Sequence, residues 1–366
     1  MLRTVALLLL SGLLLLAFRP GGPGKPKATS GVNNDSLVLP GERHLRNIRQ
    51  LTFGGNNAEG YWSYDNKRII FQSEWSFLTK QGCDQIFTVD VTQPVLKYNR
   101  ISTDKGRTTC SYFLPDGRMV FASTHEANAS CPHVPQGPPR TYVWPIFDSF
   151  DIYISDKDGK NLKPLVANPG YDAEATISPD GRYMVYTSIR SGDLELWRYD
   201  FKTDEHLQLT DEIGYDGGAF FSNKGNQIVY RRSIHETDSS KQKYLSILKQ
   251  GMVQPGEMSI FVMDIDGKNK RRVTTLPGAN WAPFFHPSDE KIIFSSNHHS
   301  LGKGGRPRFN LFMINVDGTG LEQITFEQVF DAFPMFSFDG KRIVFASNRN
   351  NKGTRDTNLF VADWVD

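Results

Sequence analysis

Short apolar runs separated by tight-turn signatures recur along this chain, and no long segment shows a sustained helical period of apolar residues. The stretch Tyr171–Ser188 reads YDAEATISPDGRYMVYTS. Its centre, Ser178-Pro179-Asp180-Gly181, is typical of a tight turn, because proline presets φ and glycine accepts the left-handed conformation that follows. The flanking runs are therefore predicted to be the two strands of a β-hairpin. A lone hairpin is barely stable in water, so we expect it to belong to a larger sheet.

The hairpin pattern occurs in six copies along the chain. Each copy has an aromatic or apolar strand, a turn, and a second strand that ends in an aromatic residue and usually a serine. The copies are WSYDNKRIIFQS (62–73), YFLPDGRMVFAS (112–123), TISPDGRYMVYTS (176–188), FFSNKGNQIVYRRS (220–233), FFHPSDEKIIFSS (284–296) and MFSFDGKRIVFAS (335–347). A second hairpin follows most copies, with turns at 156–159, 200–204, 264–267 and 315–318. Four short strands per unit, repeated in this way, predict a β-propeller.

The ends of the chain support a closed ring. The last unit has three strands, and its missing fourth strand is found near the start, where Ile48–Thr52 (IRQLT) matches Leu321–Thr325 (LEQIT). We predict that the N-terminal strand completes the last blade, which would protect the sheet edges and hold both ends. The predicted fold is all-β: a six-bladed β-propeller of four-stranded antiparallel blades.

The repeats SPDGRYMVYTS and SFDGKRIVFASN resemble those of TolB-like propellers, which are relatives of the WD-repeat propellers. The resemblance covers roughly residues 45 to 365, and it is specific to the fold rather than to a function. TolB proteins carry an additional N-terminal α/β domain, and we expect this chain to lack it. The resemblance implies a binding propeller of the cell envelope.

The N-terminus differs from the rest of the chain. A short basic start precedes a leucine-rich run, Val5 to Phe18, which is too short to cross a bilayer and is typical of a secretory signal peptide. An uncleaved anchor is an alternative, because no clean cleavage site follows. We therefore divide the chain into a signal peptide (1–20), a flexible linker (21–43) and the propeller (44–366), and expect a periplasmic or secreted protein. Lys plus Arg number 42 against 40 Asp plus Glu, so charge gives no reason to propose a nucleic-acid partner.

The repeats also predict where polar side chains gather. In a propeller, the innermost strand of each blade begins on the same face as the loop between the second and third strands. Alignment of the copies places several polar residues at this mouth of the central channel. The candidate binding residues are Glu59, His125, Asp172, Glu174, Arg190, Asp216, Asn280, His298, Asp331 and Arg349.

Two interpretations of this set remain open. The residues form a polar binding site, or the Asp and Arg side chains pair between neighbouring blades, for instance Arg190 with Asp216, and contribute little net stability. His125 and His298 interrupt the repeat pattern and suggest a metal, but a metal site needs three or four converging ligands. We therefore predict no metal and no cofactor, and keep a divalent metal as an alternative.

Two insertions, near 124–150 and 233–258, overhang the same mouth. The aromatic residues of the first insertion either pack on its blade or face a partner, and the second, around Tyr244–Lys249, is predicted to contain one or two helical turns. Cys110 and Cys131 belong to one face, so we predict a Cys110–Cys131 disulfide, with two unpaired thiols as the alternative. Cys83 is then left over, either free or paired between chains.

No catalytic signature such as Gly-x-Ser-x-Gly or His-Glu-x-x-His occurs in the sequence. We therefore favour a non-enzymatic binding module that presents its loop-rich mouth to a protein or cell-envelope ligand. The alternative is a hydrolase or lyase that acts on a glycan or small molecule at the same mouth, with or without the help of a metal.

Overall fold

The computed structural model describes residues 35–139, 141–304, 308–326 and 330–366. The predicted signal peptide (1–20) and the first part of the predicted linker lie outside the described residues. The strands in chain order are β1 (Leu45–Gln50), β2 (Asn57–Trp62), β3 (Arg68–Ser73), β4 (Gln85–Asp90), β5 (Tyr98–Arg100), β6 (Thr108–Phe113), β7 (Met119–Ser123), β8 (Trp144–Pro145), β9 (Asp151–Ser155), β10 (Lys163–Val166), β11 (Asp172–Ile177), β12 (Tyr183–Ser188), β13 (Glu195–Asp200), β14 (Glu205–Gln208), β15 (Asp216–Phe221), β16 (Gln227–Ser233), β17 (Met252–Val253), β18 (Met258–Asp264), β19 (Arg271–Arg272), β20 (Asn280–Phe285), β21 (Lys291–Ser296), β22 (Asn310–Asn315), β23 (Glu322–Gln323), β24 (Asp331–Phe336), β25 (Arg342–Ser347) and β26 (Asn358–Trp364). One α-helix, α1 (Asp238–Leu248), and two 3₁₀ turns, Asp35–Leu37 and His298–Ser300, complete the described elements.

Twenty-four of these strands form six antiparallel four-stranded sheets, which are the blades of the propeller. From the innermost strand outwards, the blades are β2-β3-β4-β5, β6-β7-β9-β10, β11-β12-β13-β14, β15-β16-β18-β19, β20-β21-β22-β23 and β24-β25-β26-β1. We number them blades 1 to 6. The predicted all-β, six-bladed fold is confirmed.

The local chemistry of the hairpins is the predicted one. In the Ser178–Gly181 turn, the backbone N–H of Gly181 donates to the carbonyl of Ser178 at 2.8 Å. Gly181 has φ of +74°, the left-handed conformation that glycine adopts without a side-chain clash. The aromatic residue near the end of each second strand is fully buried between blades, at 0% exposure; these residues are Phe71, Phe121, Tyr186, Tyr230, Phe294 and Phe345.

The ring is closed by the N-terminal strand, as predicted. Strand β1 pairs antiparallel with β26, with Leu45 opposite Trp364 and Gln50 opposite Phe360. Thr52 and Thr325, which are equivalent in the sequence alignment of the two strands, also make the same side-chain hydrogen bond. The hydroxyl of Thr52 accepts the N–H of Leu359 at 2.9 Å, and the hydroxyl of Thr325 accepts the N–H of Leu311 at the same distance. The closing strand therefore makes the bonds of an ordinary fourth strand.

Residues just before β1 also pack on the propeller. The carboxylate of Glu42 is fully buried and accepts two hydrogen bonds from the Arg349 guanidinium, at 2.8 and 3.1 Å. Arg349 also lies 3.4 Å from the buried carboxylate of Asp331. This ionic triad joins the segment before β1 to blade 6, so the described contacts of the propeller begin before residue 44.

Candidate functional site

The two insertions lie on the face where the innermost strands begin, which we call the loop face; the opposite face, with the hairpin turns of the repeats, is the turn face. Strand β8 of the blade 2 insertion pairs with β17 of the blade 4 insertion, with Trp144 opposite Val253 and Pro145 opposite Met252. The pair links blades 2 and 4 across blade 3. We call the paired insertions the bridge.

The bridge has its own apolar core. Phe147 and Phe150 of the first insertion are buried with Tyr171 before blade 3, and with Tyr244 and Leu248 of α1. The predicted helical turns are confirmed, and helix α1 extends from Asp238 to Leu248. Most aromatic residues of the first insertion thus pack on the blades, while Tyr142 remains 73% exposed.

The first residue of each innermost strand is buried inside its blade. This position holds Asn57, Thr108, Asp172, Asp216, Asn280 and Asp331, all at 1% exposure or less. Most of them pair across the hairpin; for example, Asp216 accepts two bonds from Arg232 at 2.9 and 3.0 Å, and Asn280 accepts a bond from Ser296 at 2.6 Å. The hydroxyl of Thr108 instead donates to the backbone carbonyl of Asp84 in blade 1 at 3.0 Å. Arg190 lies nearest to Asp172 of its own blade, 3.9 Å away, so these pairs form within blades and not between Arg190 and Asp216.

The residues after the second strands also have local partners. The Nδ1 atoms of His125 and His298 lie 2.9 and 2.8 Å from the hydroxyls of the serines that end their strands. The Nε–H groups of Arg190 and Arg349 donate to the equivalent serines at 3.2 and 3.1 Å. The histidines therefore occupy the place of the arginines. Burial lowers the pKa of both histidines, which favours the neutral ring.

The histidines stand on opposite sides of the ring, in blades 2 and 5. Among the described residues, no group of three or more His, Cys, Asp or Glu side chains is arranged to hold a metal ion. The ligand convergence that a metal site requires is thus absent from this part of the chain.

The third residue of each innermost strand, in contrast, lies at the axis. Every innermost strand has a β-bulge here, because its register shifts between the second and fifth residues. The bulge position is left-handed in all six blades, with φ between +49° and +59°, at Glu59, Cys110, Glu174, Gly218, Ala282 and Phe333. Two of the predicted site residues, Glu59 and Glu174, occupy this ring of bulge positions.

A hydrogen-bonded network surrounds Glu174. Its carboxylate accepts bonds from Arg231 at 2.9 Å, from the backbone N–H of Gly218 at 2.6 Å and from Thr187 at 3.1 Å, and also from the hydroxyl of Tyr215. The Arg231 guanidinium lies over the Tyr215 ring, 4.2 Å from its centroid. Although Arg231 is only 4% exposed, these contacts keep it charged, and the carboxylate of Glu174 raises its pKa against the effect of burial.

Glu59 is the equivalent carboxylate in blade 1, but its surroundings differ. Its Oε2 atom is buried and has no hydrogen-bond partner among the described residues. Burial raises the pKa of Glu59 to about 7, with a hydrogen bond from Cys110 and the charge of Arg231 acting against it and the charges of Glu174 and Asp84 adding to it. About half of the Glu59 carboxyls are therefore ionised at neutral pH.

Aromatic rings close the channel below the bulge positions. The ring centroids of Tyr61 in blade 1 and Phe220 in blade 4 are 5.4 Å apart, and these two blades face each other across the axis. Tyr112 and Phe284 extend this layer, at 6.0 and 5.1 Å from Phe220. These aromatic rings therefore lie across the channel below the bulge positions.

The side of the mouth formed by blades 5 and 6 is also aromatic. Trp281 packs against Phe333 and Phe309, with centroids 4.9 and 5.7 Å away, and Trp144 of the bridge lies 5.6 Å from Trp281. Except for the buried Trp281, these rings are partly exposed. Trp144, Tyr215 and Arg231 were not among the predicted site residues, because their roles depend on contacts between blades and insertions.

The structure corrects the predicted disulfide. Cys131 bonds to Cys83, with an S–S distance of 2.10 Å, and Cys110 is free. The prediction of Cys110–Cys131 was wrong because the bulge turns Cys110 towards the axis, where burial raises its pKa well above the ordinary thiol value. The disulfide therefore joins the insertion of blade 2 to the loop of blade 1.

Comparisons with known protein families, sequences and structures find other propellers. A family model described as the TolB beta propeller domain matches residues 246–359. The Tol-Pal system protein TolB of Francisella tularensis subsp. mediasiatica is 27% identical over 218 residues, which cover 59% of this chain and 43% of that protein. This chain is similar to the TolB propellers. It spans less than half the length of that relative, so the activity and partners of the whole relative do not transfer to it directly.

Two solved structures share the fold of this TolB-like propeller. Putative TolB from Agrobacterium tumefaciens has a TM-score of 0.56 and 17% identity, and the match covers 87% of this chain and 97% of that one. TolB from Acinetobacter baumannii has a TM-score of 0.51 and 20% identity, with 72% of this chain and 53% of that one covered. At these identities the likeness concerns the fold alone. Among the described residues, no helix has the length and apolar character that a membrane span requires.

Proposed function

We propose that this chain is an exported, non-enzymatic binding module of the cell envelope that receives a protein partner at the mouth on its loop face. The observation that carries the proposal is the construction of this mouth, which has carboxylates near the axis and partly exposed aromatic rings beside them. Partly exposed aromatic clusters next to polar groups are typical of protein-binding surfaces. The similarity to proteins named for the Tol-Pal system supports an envelope role.

Export is supported by two features of the chain. The leucine-rich N-terminal run is typical of a signal peptide. The Cys83–Cys131 disulfide is a bond that persists in oxidising compartments such as the periplasm. We therefore place the protein in the periplasm or outside the cell. The alternative of a hydrolase or lyase was motivated by His125, His298 and the ring of acidic residues. The Nδ1 atom of each histidine lies within hydrogen-bond distance of a serine of its own blade.

Photo-cross-linking tests this proposal. A photoreactive phenylalanine analogue would replace Phe77 or Tyr142, which are 56% and 73% exposed on the loop face. The matched control is Val95, which is 50% exposed on the turn face between β4 and β5. In envelope extracts, we expect both loop-face positions to capture the same protein, identified by mass spectrometry, and Val95 not to capture it. Equal capture at Val95, or none at the loop face, would refute the proposal.

A further inference from the structure

Two blades carry a carboxylate at the same bulge position, and only that of Glu174 is hydrogen-bonded to an arginine among the described residues. Glu59 and Glu174 have nearly the same backbone conformation, with φ of +53° and +59°. The next blade supplies Arg231 to Glu174, with an Nη2–Oε1 distance of 2.9 Å. The surroundings of Glu174 therefore show which groups stabilise a carboxylate at this position, and those of Glu59 can be compared with them.

The next blade supplies no such group to Glu59. Arg231 lies opposite Gly217 in the register of blade 4, and the equivalent residue in blade 2, opposite Thr109, is the fully buried Ala122. A methyl group thus stands where Glu174 has a guanidinium. Blade 1 therefore carries the carboxylate, and blade 2 lacks the arginine that would pair with it.

The other donors to Glu174 are also redirected in blade 2. The residue equivalent to Gly218 is Cys110, and its backbone N–H donates to Gln72 at 3.2 Å. The residue equivalent to Tyr215 is Arg107, and its guanidinium donates to Asp84 at 2.5 Å. These observations explain why Oε2 of Glu59 is buried without a partner among the described residues. An unmatched carboxylate of this kind is costly unless a ligand completes it.

We propose that Glu59 is the receptor for a lysine or arginine side chain of the partner protein, which inserts at the axis and takes the place that Arg231 takes beside Glu174. This inference rests on the proposed function and adds the chemistry of the inserted group. Glu59 is partly exposed and belongs to blade 1, outside the arc of blades 2 to 4 that the bridge spans.

The ionisation of Glu59 makes the proposal sensitive to pH. The charged and titratable groups that face it are Glu174, Asp84, Arg231 and Cys110, with Tyr61 below. A bound cation stabilises the ionised carboxylate, so binding releases a proton from those molecules in which Glu59 is protonated. With the pKa of Glu59 at about 7, the ionised fraction rises about tenfold between pH 6 and pH 8, and affinity rises with it.

The test uses an array of end-blocked pentapeptides with a central lysine, arginine, glutamine or norleucine between randomised neighbours. The full chain, fluorescently labelled, is applied at pH 6 and at pH 8. We expect retention on lysine and arginine peptides to exceed retention on glutamine and norleucine peptides by about fivefold or more at pH 8, a difference of about 1 kcal/mol. This preference should weaken at pH 6.

Three variants isolate the role of the carboxylate. Glu59→Gln keeps the shape of the side chain and should abolish the preference, whereas Glu290→Gln removes the same charge from an exposed turn-face position and should preserve it. Ala122→Arg gives blade 2 the guanidinium of blade 4, and it should occupy Glu59 and block the peptides. Thermal unfolding verifies that each variant is folded.

The possible results separate this inference from the proposed function. Retention that is equal for the wild type and Glu59→Gln, or a wild type that does not distinguish lysine and arginine from glutamine and norleucine, would overturn the inference. If the cross-linking at Phe77 and Tyr142 still succeeds, the binding function stands and only the role of Glu59 is lost. If cross-linking fails while the lysine preference depends on Glu59, the cation site stands without a protein partner.

Discussion

The bulge residue of the innermost strands shows how one backbone position serves several purposes. Five of the six bulge residues are not glycine, although a left-handed conformation costs a residue with a side chain about 1 kcal/mol. The same conformation turns each side chain towards the axis. The side chain then determines the local chemistry: a carboxylate bonded to an arginine at Glu174, a carboxylate with no such bond among the described residues at Glu59, a half-buried free thiol at Cys110 and an aromatic wall at Phe333. The chain accepts a small backbone cost in five blades and directs five side chains towards the axis.

Glu195 provides a residue-scale prediction. Burial, followed by the nearby Asp216, raises the pKa of Glu195 to about 8, and its Oε2 accepts a bond from Thr210 at 2.5 Å. The folded protein therefore holds a proton that the unfolded chain releases above the ordinary carboxyl pKa. The resulting stability is present at low pH and is lost as the pH rises through about 8.

We expect Glu195→Gln to flatten this dependence. Between pH 5 and pH 8, the wild type should lose about 1 kcal/mol per pH unit relative to the variant, because one proton per molecule is released on unfolding. Urea denaturation at each pH measures this difference, and Glu290→Gln serves as the exposed control. If the free energy of unfolding varied with pH in the same way for the wild type and Glu195→Gln, the raised pKa of Glu195 would be contradicted.

At the scale of elements, the insertions fasten the loops of separate blades to one another. The disulfide joins the loops of blades 1 and 2, and the β8–β17 pair joins the insertions of blades 2 and 4. The loop face is thus reinforced along more than half of the ring, while blades 5 and 6 present the aromatic side of the mouth. This distribution leaves one sector for the approach of a partner and fixes the residues opposite it.

The disulfide leads to a prediction at this scale. The two cysteines are 48 residues apart, and a loop of that size gives a cross-link worth about 4 kcal/mol in the chain-entropy model. We expect Cys83→Ser to destabilise the protein by up to about this amount and to expose a second free thiol. Thiol titration of the denatured, unreduced protein should count one thiol in the wild type, Cys110, and two in the variant. The absence of any reactive thiol in the variant would instead indicate a Cys110–Cys131 bond.

The sequence predicts elements better than it predicts contacts between them. Strand pairs within a blade follow from short-range turn chemistry and from the period of the buried aromatics, so the blades and the Thr52 match could be predicted. The bulge was not predicted, because the apolar pattern does not show the extra residue, and this error assigned Cys110 to the wrong partner. The pairing of β8 with β17 was also missed, because two-residue strands about a hundred positions apart carry no periodic signal.

For the whole molecule, the critical contact is the pairing of β1 with β26, because these two strands come from opposite ends of the propeller and no loop connects them. Five blades are built from consecutive residues, whereas blade 6 takes β1 from the other end of the propeller. The closing strand is supported by the pairing with β26, by the Thr52 bonds and by the buried Glu42–Arg349–Asp331 triad. Removing one member of a buried triad leaves unpaired charges, which costs about 3 to 5 kcal/mol. The triad thus discourages separation of the N-terminal segment from blade 6.

A matched pair of core substitutions tests whether closure limits the local stability of the ring. Leu51 and Ile324 are equivalent residues beside Thr52 and Thr325, and they are 0% and 1% exposed. Leu51→Ala and Ile324→Ala should each cost about 2 to 5 kcal/mol of global stability. Only the closing strand can detach without unfolding a blade built from continuous chain, so hydrogen exchange should accelerate in β1 and β26 of Leu51→Ala through local opening. In Ile324→Ala, the amides of β22 should exchange at the rate set by global unfolding. Equal local acceleration in blades 5 and 6 would show that the closing strand is held no differently from the others.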